Sequence, residues 1–227
     1  KSIFLLEGIT PSFLIGQFKQ TEYSSKNLPR IRFNKAIPMN SNSIIARVNY
    51  DSLKQNVLQK LVIGKPPVNS TIYILDKQSE GTFSTDGMLI FNKEQEKIIY
   101  TNYYLNRYVV LDSNLNVILR ANTIDTVTWA NIQTKTIQSE GVTKMINKPI
   151  IVNKKSTTYN NNLYIHSGLR ADNELLYDFE NNGIIDCYEL IYGKYLGSFY
   201  IPKYEGQPIR DVRAFQNKFI VLYDDII

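Results

Sequence analysis

The sharpest chemical spacing in this 227-residue chain lies in Asp178-Phe-Glu-Asn-Asn-Gly-Ile-Ile-Asp-Cys-Tyr-Glu189. Set against a twelve-residue calcium loop, it places Asp178, Glu180 and Asn182 at positions one, three and five. Gly183 then falls at six and Glu189 at twelve, so hard oxygen donors surround a sharp turn, as Ca²⁺ requires. The flanks argue otherwise. A loop of that type needs a helix on each side, yet Ile184 to Leu190 reads as a strand and Asp172 to Tyr177 leaves room for barely two helical turns. The segment is therefore expected to be a solvated inter-strand loop turning at Asn182-Gly183.

Other reactive side chains are sparse. His166 is the single histidine, which removes metal sites built on two imidazoles and most His-based catalysis. In Tyr164-Ile-His-Ser167 it reads as a strand residue facing a polar rim. Cys187, the single cysteine, lies in an apparent strand and is expected to be a buried, inert thiol, with a Cys187–His166 nucleophile pair the weaker alternative. One cysteine also excludes an internal disulfide framework and leaves the redox compartment open. Paired acids at Asp224-Asp225, or Asp172 with Glu174, have the composition of glycoside hydrolysis. However, adjacent acids on a strand point to opposite faces, and acids in loops are usually solvated. No Gly-rich phosphate loop occurs. Tyr103-Tyr104 and the group Tyr188, Tyr192 and Tyr195 could line a carbohydrate or peptide surface, though sheet packing accounts for them more simply. No residue is assigned here as catalytic, cofactor-binding or metal-ligating.

Composition bounds the partners. A net charge of +5 is spread along the chain with no basic run beyond Lys154-Lys155, so a dedicated nucleic-acid surface is not expected. Apolar runs such as Tyr108-Val-Val-Leu111 have only strand length and cannot span a bilayer as helices. Sixteen Tyr and ten Phe suit a sheet-rich chain, because aromatic side chains cover pleated surfaces well.

The elements that must position these residues recur. A strand-turn-strand unit occurs as Ile98-Ile-Tyr100, Tyr108-Val-Val-Leu111 and Val117-Ile-Leu119, then as Leu163-Tyr-Ile165, Asp186 to Leu190 and Tyr195 to Ile201, and finally as Phe219-Ile-Val221. Each first strand follows a polar turn: Asn92 to Glu96, Asn160-Asn161-Asn162, and Gln216-Asn217-Lys218. Units that repeat in this way stack and bury a shared core. Blades of about 40–50 residues would require inserts, and 137–157 and 170–183 are the places for them. Residues 131–157 read as a connection with one or two short strands. Upstream, Ile3 to Leu6, Phe13 to Ile15, Arg30 to Phe33, Ile44 to Val48 and Ile72 to Leu75 read as strands, while Gln20 to Lys26 reads as a loop and Gly64-Lys-Pro-Pro67 as a break. Asp51 to Leu61 has helical spacing behind a possible Asp51 or Ser52 cap, yet the later units favour a hairpin. Asp86-Gly87 marks a tight turn before Met88 to Phe91. The fold class expected is all-β, a β-propeller of antiparallel blades forming one domain over residues 1–227, clearest over 88–227.

Two segments carry a resemblance: Lys97 to Asp112 with Thr123-Ile-Asp-Thr126, and Gly193-Lys-Tyr-Leu-Gly-Ser-Phe-Tyr-Ile-Pro202 with Asp211. They resemble the TolB-like six-bladed β-propeller proteins of Bacteroidetes, many of them lipoproteins of unknown function. The resemblance implies a non-catalytic binding or scaffolding module of the cell envelope, periplasmic or surface-anchored, meeting a protein, peptide or carbohydrate on its loop face. A propeller-type lyase or hydrolase using carboxylates, with calcium, is the alternative. About three and a half units are recognisable where a ring needs about four to eight, and Asp224-Asp-Ile-Ile227 stops where another strand should start, so the chain is expected to be part of a longer protein; with no lipobox cysteine present, any targeting segment is expected to have been removed or to lie outside it. A ring short of blades would leave the apolar segments Ile3 to Leu6 and Ile226-Ile227 to pair with each other or to meet a partner.

Overall fold

The computed structural model describes residues 2–50, 53–67, 74–78, 81–139 and 141–224. The structure is nearly all-β, with antiparallel sheets and two short helices among the described residues. It divides into two compact units, residues 1–85 with 113–116, and residues 86–112 with 117–227.

The first unit holds two three-stranded meanders. One joins β1 (Ser2–Glu7), β2 (Ser12–Gln17) and β3 (Tyr23–Asn27). The other joins β4 (Lys35–Asn40), β5 (Ser43–Tyr50) and β6 (Gln55–Val62), followed by a single helical turn, α1 (Gly81–Ser84). β5 and β6 pair without a break from Ser43 against Val62 to Tyr50 against Gln55, so the ambiguous segment is a hairpin. Its helical spacing is a coincidence of two sheet faces, because Val57, Leu58 and Leu61 are all buried in a strand covered on both sides. The possible caps Asp51 and Ser52 lie outside the described residues. Phe13, Ile44, Ala46, Val48, Val57 and Leu61 make the core, with Ile31 and Phe33 against its rim.

Two sequence expectations fail in this unit. Gln20 to Lys26 is not all loop: Tyr23–Asn27 is an exposed edge strand paired with β2. Such an edge tolerates polar side chains on both faces, so alternation is lost. Arg30 to Phe33 is not a strand. Its alternation reflects burial of Ile31 and Phe33 alone, for Ile31 N–H donates to Pro29 O at 2.7 Å and Phe33 N–H to Gly8 O at 3.1 Å, outside any ladder. Of the strand expected at Ile72 to Leu75, Ile72 and Tyr73 lie outside the described residues, and Ile74 and Leu75 form a buried bend. Ile3 to Leu6 is paired with β2 along its length, which is not the pairing with the chain's end considered from the sequence; Ile226 and Ile227 lie outside the described residues.

α1 is tied to β6 by side chains. Thr85 Oγ1 donates to Gly81 O at 2.5 Å and accepts from Asn56 N–H at 3.0 Å, while Asn56 Nδ2 donates to Thr82 O at 2.6 Å. Thr85→Val keeps the shape and removes both bonds from a fully buried site. A loss of about 1–2 kcal/mol is expected in urea unfolding, and a loss below a few tenths would show that this tie is not structural.

The second unit contains the repeats. β7 (Gly87–Asn92), β8 (Lys97–Asn102), β9 (Arg107–Leu111) and β10 (Val117–Asn122) form one four-stranded meander. After the hairpin β11 (Thr134–Ile137) and β12 (Val142–Met145), a second meander joins β13 (Asn153–Tyr159), β14 (Asn162–Ser167), β15 (Asn182–Glu189) and β16 (Tyr195–Pro202). The helix α2 (Leu176–Asn181) interrupts it between β14 and β15, and a last hairpin pairs β17 (Ile209–Phe215) with β18 (Lys218–Tyr223). The matched strands of the sequence repeat are β8, β14 and β18, and the β8–β10 grouping is as expected. The predicted insert at 170–183 holds α2, whereas the one at 137–157 is misplaced: β11 ends at its first residue, β12 lies within it, and its last residues already belong to β13 of the second meander. Asp86-Gly87, expected as a tight turn, instead leads directly from α1 into β7.

Period-two alternation explains why these sheets stack. On β14, Leu163 and Ile165 join a core with Ile99, Tyr108, Val110 and Tyr188, whereas Tyr164 points the other way to Ile185, Ile209 and Phe219. A strand buried on both faces in this way is a middle strand of a stacked sheet. Two fully buried asparagines fasten the two meanders together. Asn92 Nδ2 donates to Thr158 Oγ1 at 2.8 Å and Asn160 O at 2.6 Å, and Asn153 Nδ2 donates to Asn102 O at 2.6 Å and Leu105 O at 2.9 Å.

Candidate functional site

Of the residues singled out by spacing, the calcium-type set is dispersed. Asp178 and Glu180 lie on α2, while Asn182 and Gly183 begin β15 rather than forming the expected turn. Glu189 ends that strand, seven residues and so about 23 Å from Asn182 at the usual rise of about 3.3 Å per residue. No single ion can meet both ends, since Ca²⁺–oxygen distances are about 2.4 Å. At Gly183 the neighbours come close: a Cβ there would lie 2.3 Å from Ile209 Cδ1 and 3.1 Å from His166 Nε2, so the Ile209 side chain would have to shift.

His166 is buried on β14, where burial first and then Lys154 and Lys155 push its pKa down to about 4, so the ring is neutral. It faces no polar rim. Cys187 stands opposite Tyr164 and His166 opposite Ile185, so the two are diagonal neighbours about 7–8 Å apart, and His166 Nδ1 has no hydrogen-bond partner among the described residues. Burial also raises the Cys187 thiol, although the residue is only partly buried. Tyr103 and Tyr104 are half-buried in the β8–β9 connection with ring centroids 6.2 Å apart. Tyr188 is core, stacked between Tyr108 at 5.7 Å and Tyr195 at 5.6 Å, whereas Tyr192 is exposed. Asp225 lies outside the described residues, and Asp224 meets Arg210 on the surface at 3.9 Å.

A pocket of about 250 Å³ in the second unit gathers side chains that no short motif connects. Asp186, Glu174 and Asp125 contribute carboxyls, and Tyr195, Ser198, Phe199 and Tyr200 line it from β16. Asp186 is placed by register. Its partner across the ladder is Ser198, so the two side chains share a face, and Ser198 Oγ donates to Asp186 Oδ1 at 2.5 Å. Tyr195 should point away from Ser198, being three residues before it. A bulge reverses the parity: Tyr188 pairs with Tyr195 and Cys187 with Gly197, leaving Leu196 unpaired. Gly197 takes φ of 139°, a left-handed value that favours glycine, and the Tyr195 hydroxyl meets Ser198 Oγ at 2.5 Å.

Glu174 reaches the pocket through a tight turn in which its N–H donates to Ala171 O at 3.1 Å and its Oε2 accepts from Ala171 N–H at 3.2 Å. The side chain is only 8% exposed, and Oε1 has no well-formed hydrogen bond. The Tyr200 phenol is directed at this carboxylate, which holds its pKa above the ordinary value, and Arg170 Nη1 donates to the Glu174 carbonyl at 2.7 Å. Asp125 follows β10; its Oδ2 accepts from Thr123 Oγ1 at 3.2 Å, and its carbonyl accepts from Asn106 Nδ2 at 2.6 Å. Tyr188 Oη accepts the neighbouring Ile124 N–H at 3.0 Å.

The electrostatics follow from burial. Asp186 is 1% exposed, and desolvation, opposed by Ser198 and reinforced by Asp125 and Glu174, raises its pKa to about 6. Desolvation likewise raises Asp125, against the bond from Thr123. None of the three acids has an ion-pair partner among the described residues. From the sequence, only Glu174 stood out, paired with Asp172, which the structure leaves exposed. Asp186 could have been found as an acid in the middle of an otherwise apolar strand, since a buried carboxyl is costly. A larger depression in the first unit, lined by Ile9, Thr10, Pro11, Asn27, Leu28, Arg30 and Arg32, holds no buried titratable side chain.

No helix among the described residues is long and apolar enough to cross a membrane. No family model matches the chain, and no curated protein matches it. Among solved structures it is similar to the Swd1 β-propeller domain of Myceliophteria thermophila, at 10% identity and a TM-score of 0.37, over 92% of this chain and 73% of that one. It is also similar to apo AztD from Citrobacter koseri, at 10% identity and a TM-score of 0.41, over 98% of this chain and 64% of that one.

Proposed function

We propose that the chain is a non-catalytic binding module of the β-propeller type, one domain over residues 1–227, and that its ligand enters the pocket around Asp186. The observation that carries this reading is the buried carboxyl itself. A fold that keeps an acid 1% exposed in the lining of a pocket, with no ion-pair partner among the described residues, carries a destabilising group at a place where a ligand could offset the cost. The wall formed by residues 169–174 belongs to an insert, where binding residues tend to concentrate. A location in the cell envelope extends from the family resemblance and is tested by cell fractionation.

The test is a titration of isotope-labelled protein with a panel of short peptides and oligosaccharides. Ligands of the expected class shift the resonances of Ser198 and Tyr200 in a saturable way, and Asp186→Asn weakens them about tenfold. A panel that moves only surface residues outside the pocket would overturn the reading. The second reading, a lyase or hydrolase using carboxylates, is favoured by the same raised Asp186, because a carboxyl with pKa near 6 suits a general acid. Product analysis on the same oligosaccharides distinguishes it: turnover lost in Asp186→Asn would make the protein an enzyme.

A further inference from the structure

We infer that the open edge of β18 is an interaction surface, and that the partner it fits is β18 of a second copy of this chain, paired antiparallel about a two-fold axis at Val221. β17 and β18 form a sheet of two strands where the two meanders of the same unit have four, and among the described residues no backbone bond from another element reaches residues 218–223. Which groups the edge presents follows from β17. The N–H groups of Ala214 and Val212 turn away from β18, to Thr157 Oγ1 at 3.1 Å and Asp211 Oδ1 at 3.0 Å. Their opposites in the ladder are Phe219 and Val221. These are therefore the wide, unbonded pairs of an antiparallel ladder, so Phe219, Val221 and, by alternation, Tyr223 aim N–H and C=O at the open side.

Natural sheets blunt free edges with charges, prolines, bulges or shortness. β10 is bulged after Val117 and carries Arg120, and β16 is bulged at Leu196 and ends in Pro202. β18 has no such device, for its five residues from Phe219 to Tyr223 are uncharged and run without a bulge. Self-complementarity selects a second copy. Pairing about Val221 sets Phe219 opposite Tyr223 of the second copy, both from the set that aims outward, so the hydrogen bonds fall in phase. The same register sets Lys218 opposite Asp224 at each end of the contact and Ile220 opposite Leu222 on the outer face, as a two-fold interface requires. Ile220 is 53% exposed in the single chain. Lys218 has no ion-pair partner among the described residues, and Asp224 is held only by the exposed contact to Arg210 at 3.9 Å. The product is one continuous sheet of β17, β18 and their two copies, with the strand number of the meanders.

Sedimentation velocity at about 10 and about 500 µM, with amide exchange at both concentrations, tests the pairing. A concentration-dependent dimer is expected, in which exchange at Phe219, Val221 and Tyr223 slows about tenfold while Ile220 and Leu222, already bonded to β17, do not change. Ile220→Lys puts a charge on an exposed face and so leaves the fold intact, and it should stay monomeric at both concentrations. Lys218→Glu and Asp224→Lys should each weaken association about tenfold by setting like charges opposite, and the double variant should recover the native value. A native chain that is monomeric at the higher concentration, or a dimer whose three amides still exchange freely, would overturn the inference. So would an Ile220→Lys chain that dimerises as readily as the native one, or a double variant that does not recover. A monomer whose three amides are protected only by an added strand of other sequence, such as a Thr-Val-Thr-Val-Thr peptide, would assign the edge to a different partner and overturn the second copy.

Discussion

Asp186→Asn is expected to stabilise the protein at pH 7 by about 3 kcal/mol while weakening whatever the pocket binds. The native carboxyl has its pKa raised from 3.8 to about 6, so at pH 7 it is ionised in both states and the folded state bears the desolvation cost. Roughly two pKa units at about 1.4 kcal/mol each give the magnitude. The pH profile sharpens the expectation. Because Asp186 is raised on folding, its relative stabilisation is present below pH 3.8 and is lost as pH rises through 6. His166 does the reverse. Its pKa falls from 6.5 to about 4, so its contribution is present above pH 6.5 and is lost as pH falls through 4. Between about pH 4 and 6 the two contributions, each about 3 kcal/mol, run in opposite directions and largely cancel. Urea unfolding across this range should therefore be nearly flat for these two groups in the native protein. It should fall steeply toward acid in Asp186→Asn and rise toward acid in His166→Gln. An Asp186→Asn protein no more stable than the native one at pH 7, with an unchanged profile, would show that the carboxyl is not desolvated as described.

Asn153→Ala should cost about 3 kcal/mol, far more than removing a polar surface residue. The side chain is fully buried and donates to two buried carbonyls, Asn102 O and Leu105 O, so truncation withdraws a donor from both and leaves a small void. Urea denaturation measures it. A loss under 1 kcal/mol would mean that water takes over both bonds.

How much of this was legible beforehand depends on the range of the interaction concerned. β8, β14 and β18 could be phased because each carries its own local signal, a polar turn followed by alternating aromatic and branched residues. The hairpin β5–β6 was recoverable only by analogy, since Val57, Leu58 and Leu61 satisfy helical spacing when both strand faces are buried. β3 was missed because an exposed edge has no apolar face to reveal it. The pocket was hidden for a different reason. Asp125, Glu174 and Asp186 come from a strand end, an insert turn and a strand middle, and only sheet register and the bulge at Gly197 bring the surrounding groups together. The Asp178–Glu189 motif, conversely, was legible and misleading, because strand β15 draws out half of the spacing that a loop would have closed.

The two buried asparagines bear on how that pocket can behave. Asn92 closes one end of the junction between the meanders, near the β13–β14 turn, and Asn153 closes the other, near the β8–β9 connection. One such fastening would act as a hinge about which the sheets could swing; two, at opposite ends of β13, make a fixed joint. The carboxyl of Asp125 follows one sheet and those of Glu174 and Asp186 belong to the other, so the gap between them is set by that joint. Any ligand of this pocket would therefore meet a gap of fixed calibre, and loosening either fastening would change that calibre without touching a single residue that lines it.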